Sequence, residues 1–196
     1  MIILGFETTD AIASVALYLN GTVYCKELSE KLRHAESVLP AAERMLSEHD
    51  LNTSDIDAYA VDIGPGSFTG VRIGVCLANA LAFANRKKVI PVNALEALSH
   101  PYKENNIYIA SIIDAKNGNG YAALYYSDKV LIDPQACEIS TFLKNIPSHA
   151  IMTGTACTDC ADPSAKDVVE IAATRIGFDY VSPLYLKLSQ AERMMK

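Results

Sequence analysis

Tryptophan is absent from this sequence, and any excess of basic residues is absent too. Lysine and arginine number 17 against 23 aspartates and glutamates, which gives a formal net charge of −6. A domain that grips nucleic acid by itself usually shows a basic patch or stripe. Because the basic residues are scattered, we expect any nucleic-acid role of this chain to be indirect.

A secretory leader and a long apolar run are also lacking. The first ten residues carry no basic segment, and the longest apolar stretch, residues 73–84, is interrupted by Asn79. That stretch is too short to span a bilayer. Five cysteines, an odd number and mostly isolated, fit reduced thiols. We therefore predict a cytoplasmic protein without membrane association.

Metal-ligand spacing is missing among the four histidines. His34 is followed four residues later by Val38, so a helical H-x-x-x-H pair is not formed. Cys157 and Cys160 form a lone C-x-x-C, which no second pair or histidine pattern completes. No nucleophile elbow or Ser–His–Asp order is present either. We predict no metal, no cofactor and no catalytic residues.

The order of apolar and turn segments predicts two α/β units of related plan. Three strands, a helix, a strand and a helix occur once before residue 101 and again, less regularly, after it. Asn20-Gly21 between two strand-like runs predicts a hairpin. We therefore predict an α/β, two-lobed fold with a mixed sheet and helices in each lobe. The lobes span residues 1–101 and 102–196, as in the acetate kinase, sugar kinase, Hsp70 and actin (ASKHA) architecture.

The first long helix is indicated by helical spacing of its apolar residues, which are Ala35, Val38, Leu39, Ala42, Met45 and Leu46. Ser37 as N-cap would place Pro40 at the third helical position, where no amide hydrogen bond is lost.

A glycine-rich loop follows the next strand, in the stretch IGPGSFTGVRIG at residues 63–74. It is not a phosphate-binding Walker A loop, because Val71 and Arg72 rather than a lysine follow Gly70. An anion-binding helix start and a tight turn with a structural arginine both stay open. A cation in the first helical turn opposes the helix dipole. We therefore expect a carboxylate, of this chain or of a partner, to hold Arg72.

The helix after this loop is apolar on nearly every side, which predicts burial all round. Gly70, Gly74, Ala78 and Ala82 are spaced four apart and form a smooth stripe. Such a stripe allows another helix to approach closely.

Acidic residues end the first strand of each predicted lobe, at Glu7 and Asp114. In a two-lobed nucleotide-binding fold, these are places where acids meet metal–phosphate groups. Glu7, Thr8 and Asp114 are therefore candidates for a vestigial nucleotide or metal site. A solvated strand end is the commoner alternative.

Several motifs together resemble the bacterial TsaB (YeaZ) family. GPGSFTGVRIG lies directly after a strand, and LGFETTD, RHAESVLP, NALEALS, DAKNGNGYAALY and PLYLKLSQAE fall where that family has them. The resemblance implies a noncatalytic member of the ASKHA fold that pairs with TsaD, the tRNA threonylcarbamoyl transferase, and works with the ATPase TsaE. The stripe on the second long helix, built for such a partner, predicts a homodimer when the chain is alone. The acidic net charge predicts contact with tRNA only indirectly. Glu7 departs from the family's usual aspartate, which weakens a nucleotide role.

The same resemblance places the partner contact on helices of the N-terminal lobe. The predicted interface comprises Val38, Ala42, Met45, Gly70, Arg72, Ile73, Gly74, Leu77, Ala78 and Ala82, and the signature loop comprises Gly64, Pro65, Gly66, Ser67, Phe68, Thr69 and Gly70. On this basis Gly74→Leu should block pairing. Two alternatives are an ATP-binding kinase or hydrolase of the same fold and a glycoprotease-like (M22-type) metallopeptidase. The missing histidine pair disfavours the second.

Overall fold

A five-stranded sheet is built from the first half of the chain. The computed structural model describes residues 1–28, 34–157 and 161–187, except for the side chain of residue 34. The strands are β1 (Ile2–Glu7), β2 (Ser14–Leu19), β3 (Thr22–Glu27), β4 (Ala58–Asp62) and β5 (Lys88–Val92). Their order is β3-β2-β1-β4-β5, with β1, β4 and β5 parallel and the β2–β3 hairpin antiparallel. Asn20 and Gly21 turn the hairpin with φ of 49° and 99°, which confirms the predicted turn.

A second mixed sheet repeats this plan without the fifth strand. Its strands are β6 (Tyr108–Asp114), β7 (Asn119–Tyr126), β8 (Lys129–Glu138) and β9 (Ile151–Thr153). Their order is β8-β7-β6-β9, and β9 runs parallel to β6. The predicted α/β fold with two mixed sheets is confirmed.

Within the described ranges, five α-helices pack on these sheets: α1 (His34–Glu48), α2 (Phe68–Asn85), α3 (Ala94–Ser99), α4 (Ile139–Lys144) and α5 (Ala165–Ala172). Helix α1 begins at His34, so the predicted N-cap at Ser37 is wrong and Pro40 lies inside the helix. The additional first turn includes the exposed Ala35 and Glu36. A turn that buries little of its surface leaves no strong apolar signal, which explains why the spacing did not mark it.

The helices and sheets alternate in layers. Helices α1 and α2 cover one face of the first sheet, and α5 covers the other. Helix α3 packs on the second sheet, whose far face meets Phe142 of α4. A Cβ atom on Gly5 would lie 2.2 Å from Val169 Cγ1, so α5 lies directly on β1. The second half of the chain thus returns to the first sheet, where Phe178 also bridges to Val89 of β5. The division at residue 101 into two independent units stays a prediction.

Helix α2 is the one helix among the described residues that is long and apolar enough to cross a membrane by length and composition. One face of it packs on the first sheet through Gly70, Val71, Gly74, Val75, Ala78 and Ala82. Core helices of globular proteins meet the same criterion, so this feature alone is weak evidence for membrane insertion.

Candidate functional site

The signature loop joins the end of β4 to the start of α2 and is anchored to the end of β1. The Ser67 amide donates to the carbonyl of Thr9 at 2.7 Å, and the Ser67 hydroxyl caps α2 by accepting from the Gly70 amide. Gly64 has φ of 98°, a left-handed conformation that a side chain would strain. The loop geometry therefore depends on the two threonines that follow β1.

The glycines of the loop and of α2 face those threonines. A Cβ atom would lie 2.6 Å from the Thr9 carbonyl oxygen at Gly66, and 2.0 Å from the Thr8 carbonyl oxygen at Gly70. At Gly74 it would lie 2.4 Å from Thr8 Oγ1, the hydroxyl that donates to the Gly70 carbonyl. Glycine is required here because α2 touches the backbone of its own chain. The predicted close approach exists, but the neighbour is the end of β1.

This packing corrects the predicted orientation of most of the interface residues. Seven of them lie in the core against the first sheet: Val38, Ala42, Met45, Gly70, Gly74, Ala78 and Ala82. These residues are buried within this chain and are not available to a partner. Gly74→Leu would therefore disturb the chain's own fold before it affected pairing. Arg72 is exposed and Ile73 and Leu77 are partly exposed, so these three stay interface candidates.

The opposite side of α2 is apolar and faces outward. We define the α2 outer face as Thr69, Ile73, Cys76, Leu77, Ala80, Phe83 and Ala84. These positions recur at helical spacing, so they lie along one side of the helix. Phe83 is 87% exposed. The sequence predicted burial all round, whereas the described part of the chain buries one side of α2 and leaves this side largely exposed.

Arg72 lies beside the outer face, in the first turn of α2. Its Nε donates to the Tyr185 hydroxyl at 2.8 Å, and its guanidinium carbon lies 3.7 Å from the centre of the Phe68 ring. The two rings are 5.2 Å apart. Among the described residues these aromatic groups, rather than the expected carboxylate, hold the guanidinium. A cation over an aromatic face is stabilised by the ring quadrupole, which offsets the unfavourable helix dipole.

Two fully buried carboxyl groups lie below the loop, Glu7 at the end of β1 and Asp62 at the end of β4. Glu7 Oε1 accepts from the amide and hydroxyl of Thr9, and Asp62 Oδ1 accepts from the Gly64 amide at 2.7 Å. Burial, and then the neighbouring Asp62 charge, raises the pKa of Glu7. Burial raises the pKa of Asp62 to about 7. These groups brace the loops that follow the two strands.

Glu7 is therefore not the solvated strand end that the sequence left as an alternative. Its Oε2 is buried without a hydrogen-bond partner among the described residues. The sequence analysis did not single out Asp62. Its position gave a signal, because Asp62 ends the strand before the glycine loop just as Glu7 ends the strand before the two threonines.

Asp114, the third candidate with Glu7 and Thr8, lies in a separate, open place. A cleft of about 420 Å³ separates the signature loop from the second sheet, and it is lined by Thr9, Asp10, Ala11, Gly66, Ser67, Ile113, Asp114, Ala115, Lys116, Tyr121 and Thr155. Hydrogen bonds from the Lys116 side chain and amide lower the pKa of Asp114. Because Glu7 and Thr8 are buried, the structure does not bring the three candidates together in one open site. Cys160 lies outside the described residues, so the C-x-x-C is not tested.

Two mixed sheets of matching strand order, with a loop and helix anchored at the end of the first strand, define a two-lobed α/β protein of the ASKHA type. A family model described as "TsaD: tRNA N6-adenosine threonylcarbamoyltransferase" matches residues 27–153. Together with the relatives described next, this match places the chain in the TsaB (YeaZ) family.

Curated relatives and solved structures agree with this assignment. The tRNA threonylcarbamoyladenosine biosynthesis protein TsaB of Bacillus subtilis is 33% identical over 134 residues, 68% of this chain and 58% of the relative. The TsaB of Haemophilus influenzae is 26% identical over 221 residues and covers 94% of this chain and 93% of its own. The structure of YeaZ from Pseudomonas aeruginosa superposes with a TM-score of 0.79 at 23% identity, covering 94% and 99% of the two chains. The chain thus spans less than two thirds of the length of the Bacillus relative, but nearly the whole length of the Haemophilus relative.

Proposed function

We propose that this chain is a noncatalytic scaffolding and activating subunit of the machinery that makes threonylcarbamoyladenosine (t6A) in tRNA, and that it pairs with TsaD. Its relatives are named TsaB biosynthesis proteins, and a transferase of Prosthecochloris aestuarii is 30% identical over 112 residues. The observation that supports pairing best is the α2 outer face, which is apolar and largely exposed in the described part of the chain. Exposed apolar surface of this kind typically marks a protein contact.

The buried acids support the noncatalytic part of the proposal. Glu7 and Asp62 have no exposed surface, and their raised pKa values favour retention of a proton by the pair. Neither could hold a metal–phosphate group without opening the fold. Position 38, where an H-x-x-x-H pair on α1 would need its second histidine, is a valine that is buried in the core. A metallopeptidase is disfavoured for that reason.

Pairing would use the α2 outer face, and Leu39 of α1 offers further exposed apolar surface. Arg72 at the edge of this face has a charged guanidinium fixed by Phe68 and Tyr185, so it is ready to meet a partner carboxylate. The same face would form an isologous homodimer when TsaD is absent. Recruitment of TsaE and an indirect relation to tRNA complete the proposal. A cytoplasmic location suits that role, and the net charge of −6 suits a subunit that does not grip tRNA itself.

A second candidate function is ATP binding in the cleft that contains Asp114 and Lys116. The cleft is open, and Ser67 at the start of α2 lines it together with these two charged residues. Calorimetry with ATP and magnesium separates the two functions. A scaffold gives no binding heat when alone, whereas a kinase-like or hydrolase-like enzyme binds with a measurable heat.

The proposed function is tested by reconstituting t6A formation with TsaD, TsaE, the nucleotide precursor and tRNA, with and without this chain. We expect modification to require the chain and to survive Asp114→Ala, because the cleft acid has no chemical role in a scaffold. The readout is the t6A content of the tRNA by mass spectrometry. Full modification without the chain contradicts the proposal. Loss of modification by Asp114→Ala with an intact complex would indicate chemistry in the cleft.

A further inference from the structure

A histidine and two acids meet on the side of the molecule away from the α2 outer face. His100 begins the short 3-10 helix His100–Asn105 that leads from α3 towards β6, and Asp167 and Glu170 are one turn apart on α5. We propose that His100, Asp167 and Glu170 bind a divalent transition metal such as Zn²⁺. The proposal concerns a different site from the TsaD contact and does not depend on it.

The spacing of the three ligand atoms fits one metal ion. His100 Nδ1 lies 3.1 Å from Asp167 Oδ1 and 3.4 Å from Glu170 Oε2, and all three atoms lie within 4.8 Å of one another. Ligands held at zinc bond lengths of about 2.0–2.2 Å in a tetrahedron lie about 3.3–3.6 Å apart. Only small side-chain movements are needed to bring the three ligand atoms to these separations. One imidazole with two carboxylates suits zinc and neighbouring transition metals better than magnesium or calcium, which prefer oxygen ligands.

The surroundings are acidic and leave room for further ligands. A cavity of about 610 Å³ is lined by His100 and Glu170 of this set and also by the carboxylates of Glu104 and Asp128. Arg175, a basic residue of this cavity, is paired with Glu96. The excess of negative charge attracts a cation, and water in the cavity can supply a fourth ligand.

Lys103 is the group that opposes metal binding. Its ammonium lies 2.9 Å from His100 Nε2. An ammonium only donates, so Nε2 accepts and the ring proton lies on Nδ1, towards the carboxylates. A metal on Nδ1 requires that proton to move to Nε2, and Lys103 then turns away into the cavity. No proton is lost in this exchange. The affinity for the metal ion is reduced by the free energy needed to displace Lys103.

The ion would join the segment between the two sheets to α5, which packs on the first sheet. It would therefore restrain the lobes against each other without taking part in chemistry. The sequence hid this set because His100 and Asp167 are 67 positions apart, far beyond the spacing of any local metal motif.

The test uses the full chain carrying Cys157→Ser and Cys160→Ser, because the thiols of the C-x-x-C bind the same metals. Zn²⁺ affinity is measured by competition with a chromogenic chelator, and Co²⁺ absorption reports the coordination. We expect one equivalent to bind. His100→Phe, Asp167→Asn and Glu170→Gln should each weaken binding at least tenfold, and Lys103→Met should strengthen it severalfold.

Asp128→Asn is the matched control, because it removes a carboxylate from the same cavity but not from the three ligands. Its affinity should stay within threefold of the parent chain. Circular dichroism checks that each variant is folded. If His100→Phe does not fold, the isosteric variants Asp167→Asn and Glu170→Gln still test the site. Equal Zn²⁺ affinity in the parent and in both isosteric variants overturns the site, and unchanged or weaker affinity in Lys103→Met overturns the exchange at His100.

Discussion

Single carboxyl groups brace the loops that carry the site. Glu7 and Asp62 end adjacent parallel strands, and each accepts hydrogen bonds from the loop that follows its own strand. Thr9 Oγ1 lies 2.7 Å from Glu7 Oε1 and 3.4 Å from Asp62 Oδ2, so it stands between the two acids. Two charges here would repel each other in a medium that solvates neither, so the pair favours keeping a proton near neutral pH.

This pair predicts a pH dependence of stability. Burial raises the pKa of Asp62 from 3.8 to about 7, so between these values the folded state binds more protons than the unfolded state. The free energy of unfolding should therefore fall as pH rises from 4 to 7, with the Asp62 contribution lost above 7. Asp62→Asn keeps an oxygen for the Gly64 amide and removes that titration. Urea unfolding at pH 5 and pH 8 should show a smaller decrease for the variant than for the parent. An equal decrease in both proteins would show that Asp62 ionises normally in the fold.

At the scale of elements, the contact between α2 and the end of β1 fixes the signature loop. The carbonyl of Thr8 and the hydroxyl of the same residue both touch α2, where only glycine leaves room for them. Because those atoms belong to the backbone or to a hydrogen-bonded hydroxyl, they cannot move aside cheaply.

Gly70→Ala tests this contact. The added methyl would lie 2.0 Å from the Thr8 carbonyl oxygen, so α2 must shift. We expect a loss of about 1–3 kcal/mol in the free energy of unfolding, although alanine favours helix by about 1 kcal/mol. Ala80→Gly on the exposed side of the same helix is the control and should cost only about 1 kcal/mol. Denaturant unfolding measures both. A stabilised Gly70→Ala would mean that the helix does not lie as close to β1 as described.

Elements also differ in how much the sequence revealed about them. The Asn20-Gly21 hairpin and the strand before the glycine loop were predictable because turn chemistry and short apolar runs are local signals. The inward side of α2 was not, because a helix that is apolar all round gives no pattern that separates the core side from the outer side. Glycine spacing indicated a close approach, but spacing cannot tell whether the neighbour is another chain or Thr8 and Thr9 of the same one.

Considered as a whole, the molecule alternates helices and sheets, and its long-range contacts lay beyond sequence reasoning. The return of α5 to the first sheet joins Val169 to Gly5, residues separated by most of the chain. The approach of Glu7 to Asp62 and of His100 to Asp167 likewise depends on topology. The resemblance to a family indicated the fold and a partner, whereas only the structure distinguished the residues that build the core from those that remain exposed.

The α2 outer face is where we expect a partner to bind. The most direct test measures the mass of the chain mixed with TsaD from the same organism, by size-exclusion chromatography with light scattering. We expect a one-to-one complex with the parent chain and with Val130→Glu, an exposed apolar position on β8 of the second sheet. Ala80→Glu places a charge on the exposed outer face and should abolish the complex while leaving the chain folded. A complex of unchanged mass and affinity with Ala80→Glu would show that TsaD binds elsewhere on the chain, and no complex with the parent chain would show that the two proteins do not pair.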